Sequence, residues 1–295
     1  MTTITSMMAF IPPKNRPRLW ISDFDGTLKP FRAPVSPEDV EALKTLGKLG
    51  VVRAVATGRS ITTFMRDWDP SFEIDYLISS SGLATSRFGP EGPTDLMASK
   101  EFTPPLAKRA IDIARSLGAG FFLAPPPPET HRFHYSAPKG VAPPSFEARI
   151  RYGEGDGGPW DGDESRTYAQ ILVMGDPPSM REAERRFHAE APALSTVVST
   201  SPYGDGSMWL EIYPPEVSKG QAAAVLAAGL GMGAWEAVAM GNDYNDEDLL
   251  QWAGRAFVSS EAPERLKALY PNMPPAGRGP LAFVAGHLLP GFGAR

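Results

Sequence analysis

Several short apolar runs in this chain stop abruptly at polar loops, and that repeated ending constrains the fold more than any other feature. Arg18-Leu-Trp-Ile-Ser22 runs into Asp23-Phe-Asp-Gly-Thr27. Val51-Val-Arg-Ala-Val-Ala-Thr57 stops at Gly58-Arg59-Ser60, and Tyr76-Leu-Ile-Ser-Ser80 at Gly82. Near the other end, Ala237 to Met240 stops at Gly241, and Ala256-Phe-Val-Ser259 follows. Short apolar runs bounded by turn residues read as buried strands. Between the first two, Ser36-Pro37-Glu38-Asp39 supplies a helix cap, a proline for the first helical position and two acids for the first turn. Val40, Leu43, Leu46 and Leu49 then share one helical face, and Gly50 ends the helix. A shorter helix is expected from Ser60 to about Asp67. Strand, helix, strand, helix, strand with short links predicts an α/β fold, a doubly wound parallel sheet with a Rossmann-like core.

From Ala84 to Ser207 the alternation changes. A helix is expected over 104–117, strands over 121–124, 131–136 and 168–174, a helix over 179–190 and strands at 196–200 and 208–213. From Ser218 the earlier pattern resumes with an Ala-rich helix over 219–230, a strand at 237–240 and a helix over 245–253. The chain therefore reads as a discontinuous core, 1–83 and 208–295, interrupted by an α+β insert at 84–207. Composition localises the irregular part. Gly and Pro make up 20% of the 295 residues, but 15 of the 43 residues from Gly120 to Gly162, a local density at which regular elements become sparse. If 131–136 is extended, His131, Phe133 and Tyr135 alternate with Arg132, His134 and Ser136; if 149–151 is extended, Arg149 and Arg151 share a face. Neither set is assigned to a ligand.

Charge and residue usage exclude several function classes. The net charge is −5 with no basic block, so no nucleic-acid partner is expected. No apolar stretch reaches the ~18 residues of a membrane span, and Met1 to Ile11 reads as a loose leader on a cytoplasmic protein. With no Cys, disulfides, thiolate zinc sites and a cysteine nucleophile are all excluded.

The candidate site residues follow from the rule that open parallel sheets bind ligands beyond the carboxyl ends of their strands. Asp23 and Asp25, two residues apart and followed by Gly26 and Thr27, suit phosphoryl transfer: one carboxylate attacks and the other handles the proton. Thr57 and Gly58 offer a hydroxyl and amides at a helix start, where anions are held. Lys219, at the start of the Ala-rich helix, supplies a counter-charge. Gly241-Asn242-Asp243-Tyr244-Asn245-Asp246 gathers hard oxygen donors that suit Mg²⁺.

Together these segments resemble the four motifs of the haloacid dehalogenase superfamily of phosphatases, and the large insert is similar to the cap of its Cof-type branch. The resemblance implies that Asp23 is the nucleophile and Asp25 the general acid and base. It implies that Thr57, Gly58 and Lys219 bind the phosphoryl group. Mg²⁺ would be held by Asp23, the Asp25 main-chain carbonyl and the last motif (Asn242, Asp243, Asp246), with Gly26, Thr27 and Asn245 in support. One departure stands out: Asn242 occupies the place where the family usually has Asp, so either its amide oxygen or Asp243 serves the metal. The implied substrate is a small phosphate monoester, a sugar phosphate, chosen by the cap. A phosphomutase of the same family, a phospho-accepting receiver module and a non-catalytic sugar-phosphate binder are the alternatives, and monomer or homodimer is left open.

Overall fold

The computed structural model describes residues 16–152, 157–201, 203–289 and 292. The expected leader, Met1 to Ile11, and the first residues of the Gly-rich stretch at 153–162 lie outside the described residues.

The first half of the core runs β1 (Leu19–Ser22), α1 (Pro37–Lys48), β2 (Val52–Ala56), α2 (Ile61–Met65), β3 (Tyr76–Ser79), β4 (Ala84–Gly89) and β5 (Gly92–Ser99). There follow α3 (Pro104–Leu117), β6 (Phe121–Ala124), β7 (His134–Ser136), α4 (Pro144–Tyr152), β8 (Gly158–Pro159), β9 (Gln170–Gly175), α5 (Pro177–Glu190), β10 (Ser195–Thr200) and β11 (Met208–Tyr213). The chain ends with α6 (Lys219–Gly229), β12 (Ala237–Gly241), α7 (Glu247–Trp252), β13 (Arg255–Ser259), α8 (Glu264–Leu269), β14 (Asn272–Met273) and α9 (Pro280–Leu288).

One sheet has the order β14-β13-β12-β1-β2-β3-β4-β5. It is parallel from β14 to β3, with Leu19 opposite both Ala237 and Val52. Because side chains alternate along a strand, β1 feeds two cores. Trp20 packs with Leu43 and Leu46 of α1 and with Val284 of α9 on one face. Leu19 and Ile21 pack with Ala223 and Leu226 of α6, Leu249 of α7 and Leu266 of α8 on the other. Each large apolar side chain fully removed from water contributes about 1.5–3 kcal/mol, so a strand buried on both faces is firmly seated. Ser36 caps α1 as expected, its hydroxyl accepting from Asp39 N at 3.1 Å.

The second sheet has the order β10-β11-β9-β6-β7-β8 and is antiparallel apart from the β7–β8 pair. Phe121 and Leu123 face α3 and α5, packing with Ile111 and Phe187. Phe122 and Ala124 face the other way, toward Phe146 of α4, Phe133 and Trp209.

The parallel core with an interrupting α+β unit matches the expected fold class, but both division points move. Ala84 to Ser99 forms a hairpin laid antiparallel on β3, within the first sheet. Its outer strand β5 is almost wholly exposed beyond Gly92, so it lacks the apolar alternation that marks a half-buried strand. Met208 to Tyr213 belongs to the second sheet, between β9 and β10. The insert thus spans roughly 100–213 rather than 84–207. Two local expectations also change. Glu129–His131 is a 3₁₀ turn, so only His134–Ser136 is extended. Arg149 and Arg151 lie on α4, where residues two apart do not share a face. Among the described residues, no helix is long and apolar enough to cross a membrane.

Candidate active site

The carboxyl ends of β1, β2 and β12 meet the start of α6 where the strand order passes through β12-β1-β2. Asp23 follows β1 directly. Its main chain is tied across the sheet, Asp23 N donating to Met240 O at 2.8 Å, and only 4% of the residue is exposed. The side-chain ammonium of Lys219, wholly buried, donates to Asp23 Oδ1 at 2.6 Å and to Asp246 Oδ1 at 2.6 Å. Burial, with Asp246 nearby, pushes the Asp23 carboxyl up to about 7 against the pull of Lys219. Burial also opposes the Lys219 charge, but the two carboxylates outweigh it and hold its pKa above the ordinary lysine value. With both carboxylates ionised, the single ammonium leaves one net negative charge in the protein interior, which a cationic ligand would offset.

Asp246 spends its second oxygen on the loop after β12: Oδ2 accepts from Asn242 N at 2.8 Å and Asp243 N at 3.2 Å. Gly241 has to be glycine for this approach, since a Cβ there would stand 2.6 Å from Asp246 Cβ. Asp243 turns toward the second sheet, accepting from Tyr244 N at 2.7 Å and from Thr200 Oγ1 of β10 at 3.3 Å. Burial first, then Asp246, raises its pKa. Asn245 lies half-buried in the 3₁₀ turn Tyr244–Asp246.

Asn242 is the residue that reaches Asp23. One end of its amide lies 3.0 Å from Asp23 Oδ2, 3.1 Å from the Asp25 carbonyl oxygen and 3.1 Å from Thr27 Oγ1. Turned one way, that end is an NH₂ donating to three oxygens; turned the other, it is an oxygen joining them, with the Thr27 hydroxyl donating to it. Gly26 permits the contact. Its φ is +76°, and a Cβ there would come within 2.4 Å of the Asn242 amide. Thr27 is fully buried beside it.

Asp25, by contrast, is half-exposed and turned toward β2's loop. Arg59 holds it with two parallel bonds, Nε to Oδ2 at 2.7 Å and Nη2 to Oδ1 at 2.6 Å, and also donates to Asp67. Phe24 lies beneath the guanidinium, 5.2 Å from its ring centre. Burial opposes the Arg59 charge, but Asp25 and Asp67 more than offset it and raise its pKa. Thr57 is buried and its hydroxyl oxygen accepts from Arg59 N at 3.1 Å, whereas Gly58 is exposed at the loop tip.

The structure therefore brings Asp23, the Asp25 carbonyl, Thr27, Lys219, Asn242 and Asp246 into one cluster, with Gly26 at its edge. It sets Asp243 against the second sheet instead. Arg59 carries a role that the sequence reading did not assign, although its place in Thr57-Gly-Arg59 was the signal. Among the described residues, no three Asp, Glu or His side chains converge as a metal-binding set; the oxygens that do converge come from a carboxylate, a carbonyl and an amide.

Known proteins resemble this chain over most of its length. The profile of the haloacid dehalogenase-like hydrolases matches residues 20–273. A protein of Haemophilus influenzae named as a putative phosphatase is 24% identical over 283 residues, covering 94% of this chain and 97% of its own. A solved phosphatase of the haloalkanoate superfamily from Bacteroides thetaiotaomicron superposes with a TM-score of 0.77 at 18% identity, covering 96% of this chain and 99% of its own. A solved subclass IIB sugar phosphatase gives 0.71 at 16% identity, covering 92% and 98%. With the profile spanning both halves of the core and the insert between them, the chain belongs to the haloacid dehalogenase-like hydrolases.

Proposed function

We propose that this protein is a Mg²⁺-dependent phosphatase that hydrolyses a small phosphate monoester, a sugar phosphate, through an aspartyl phosphate on Asp23. The observation that carries the reading is the environment of Asp23. One oxygen is neutralised by a buried ammonium at 2.6 Å, while the other lies 3.0 Å from the Asn242 amide, beside the Asp25 carbonyl. The names of the Haemophilus relative and of the subclass IIB structure support the activity and the substrate class.

The donor set fits Mg²⁺. A carboxylate, a carbonyl and an amide oxygen are all hard ligands of the kind Mg²⁺ prefers, and one end of the Asn242 amide lies 3.0 Å from the Asp23 carboxylate and 3.1 Å from the Asp25 carbonyl. We assign Asp23, the Asp25 carbonyl and Asn242 to the cation. Asp246 then braces Lys219 and the loop rather than ligating, and Asp243 faces Thr200. When bound, Mg²⁺ supplies positive charge at the phosphoryl oxygens.

The chain's own groups do the rest. The Thr57 hydroxyl, the Gly58 amide and Lys219 hold the phosphoryl oxygens and offset their charge. Asp23 attacks phosphorus in line as the ester P–O bond breaks, and Asp25 gives its proton to the departing alkoxide. Asp25 then takes a proton from the water that attacks phosphorus, which releases inorganic phosphate and restores Asp23. The six-stranded sheet acts as a cap. The insert meets the core at His131 Nδ1 with Thr62 Oγ1 (3.1 Å) and at Thr200 with Asp243 (3.3 Å), contacts that support a role in selecting the leaving group.

The test is phosphate release across sugar phosphates, phosphoglycerates and nucleotides, with and without Mg²⁺, for wild type and Asp23→Asn. Release from a hexose phosphate that needs Mg²⁺ and is lost in Asp23→Asn is expected. Undiminished release by Asp23→Asn would refute the nucleophile, and isomer formation without phosphate would make the enzyme a mutase.

A further inference from the structure

The carboxylate of Glu211 takes no part in the chemistry above, yet it is 7% exposed at the junction of the two sheets. It lies on β11, and its Oε2 accepts from the Tyr213 hydroxyl at 2.7 Å and from the Ser81 hydroxyl at 3.1 Å. Tyr213 in turn accepts from Gln170 Nε2 at 2.9 Å, so four buried side chains form one continuous chain of hydrogen bonds. Burial raises the Glu211 pKa, against the pull of these bonds and of Arg149 and Lys219.

The Ser81 end of this chain belongs to the core. Ser80 and Ser81 both adopt left-handed backbone, with φ of 48° and 56°, a conformation unfavourable for residues with side chains and kept only where the surroundings enforce it. This loop joins the two halves of the phosphate-binding site. Ser81 N donates to Thr57 O at 2.9 Å and Ser80 N to Arg59 O at 2.7 Å. The next residue, Gly82, packs so closely on the N-cap of α6 that a Cβ would stand 2.2 Å from Ser218 O, one residue before Lys219. Glycine at 81 would relax the backbone. What serine adds is a hydroxyl, and that hydroxyl is directed at Glu211.

We propose that Glu211 is a positioning residue: by holding Ser81 it fixes the 80–82 loop, and so sets the Thr57–Gly58 loop and the start of α6 at the spacing that grips a phosphoryl group. The proposal rests on the phosphatase reading. Glu211 acts through Ser81 in this role: the residue is buried and its Oε2 is engaged by Tyr213 and Ser81.

The experiment compares full-length wild type with Ser81→Ala, Glu211→Ala, Glu211→Gln and the Ser81→Ala/Glu211→Ala double variant. It reads kcat and KM for p-nitrophenyl phosphate and a hexose phosphate, inhibition by inorganic phosphate, and the melting temperature. A hydrogen bond to a charged group is worth on the order of tenfold, so Ser81→Ala and Glu211→Ala are each expected to lower kcat/KM about tenfold. The factor should be the same on both esters, with inhibition by phosphate weakened in parallel. Glu211→Gln keeps an acceptor oxygen and should restore most of the loss, and the double variant should be no worse than the poorer single one. Ser81→Ala removes a single oxygen and carries the test if Glu211→Ala does not fold. Multiplying losses in the double variant, a change in melting temperature alone, or a loss confined to one ester would overturn the proposal. If wild type hydrolyses no ester, the phosphatase reading falls and takes this proposal with it; wild-type turnover with unchanged variants defeats this proposal alone.

Discussion

Arg59 grips Asp25 through both carboxylate oxygens, at 2.7 and 2.6 Å, so the group assigned to proton transfer is held away from Asp23 by a guanidinium. A proton placed on either oxygen must displace one of these bonds, so Arg59 sets where Asp25 stands when a leaving group arrives. Replacing Arg59 with Lys removes the two-pronged geometry but keeps the charge. Turnover of Arg59→Lys should fall by roughly 10-fold and that of Arg59→Ala by up to ~10²-fold, approaching the effect of losing general acid–base catalysis. Steady-state kinetics on a hexose phosphate checks this, and an unchanged kcat in Arg59→Ala would remove Arg59 from the mechanism.

Asn242 stands where a carboxylate would add charge beside Asp23 Oδ2, 3.0 Å away. Because ligand charge count sets the affinity of an oxygen site, Asn242→Asp should bind Mg²⁺ roughly tenfold more tightly. Asn242→Ala should bind it more weakly. Calorimetric titration of Mg²⁺ into the free protein reads this without any substrate. Equal affinity in all three proteins would take Asn242 out of the ligand set.

Lys219 is the counter-charge of two buried carboxylates, Asp23 and Asp246, each at 2.6 Å. Deleting one partner of such a cluster leaves uncompensated buried charge and costs on the order of 3–5 kcal/mol. Lys219→Ala should therefore lose stability as well as activity in urea unfolding without divalent cation. In the Asp23→Asn background the stability loss should shrink, because one carboxylate has gone. Equal losses in both backgrounds would show that the ammonium is not paired as described.

Asp205, in the turn between β10 and β11, provides a pH test of stability. It accepts from Ser145 N at 2.8 Å, at the start of α4, and from Ser207 Oγ at 2.7 Å. Burial acts to raise its pKa, but these hydrogen bonds outweigh it and lower the carboxyl to about 2. A carboxyl depressed on folding stabilises the protein above its unfolded pKa, and the contribution fades as pH falls through the folded one. Wild type should melt above Asp205→Asn at pH 5 to 7, with the gap closing from about pH 4 toward pH 2. A gap constant across that range would mean that the carboxylate's charge is not what holds α4.

Much of the candidate site was legible because its residues follow strands directly. Asp23, Thr57 and Gly241 end β1, β2 and β12, and a buried parallel strand announces itself as an apolar run whose last residue emerges at the sheet's edge. The β4–β5 hairpin was hidden because its outer strand is solvent-exposed and carries no apolar alternation. The helical state of Arg149 was hidden because Pro143 and Pro144 lie in a Pro- and Gly-rich stretch that reads as loop.

The sequence by itself determined the parallel core, the interrupting α+β unit and which residue types stand at the strand ends, since local periodicity and turn chemistry encode these. Only the tertiary structure decided which oxygens face one another. Asn242 rather than Asp243 meets Asp23 because Asp246 gathers the main chain of the loop and points their side chains apart. The Glu211–Ser81 bond spans 130 positions and the Lys219–Asp23 pair 196. No local pattern encodes contacts at such separations, because they form only when two sheets and a helix terminus pack against each other.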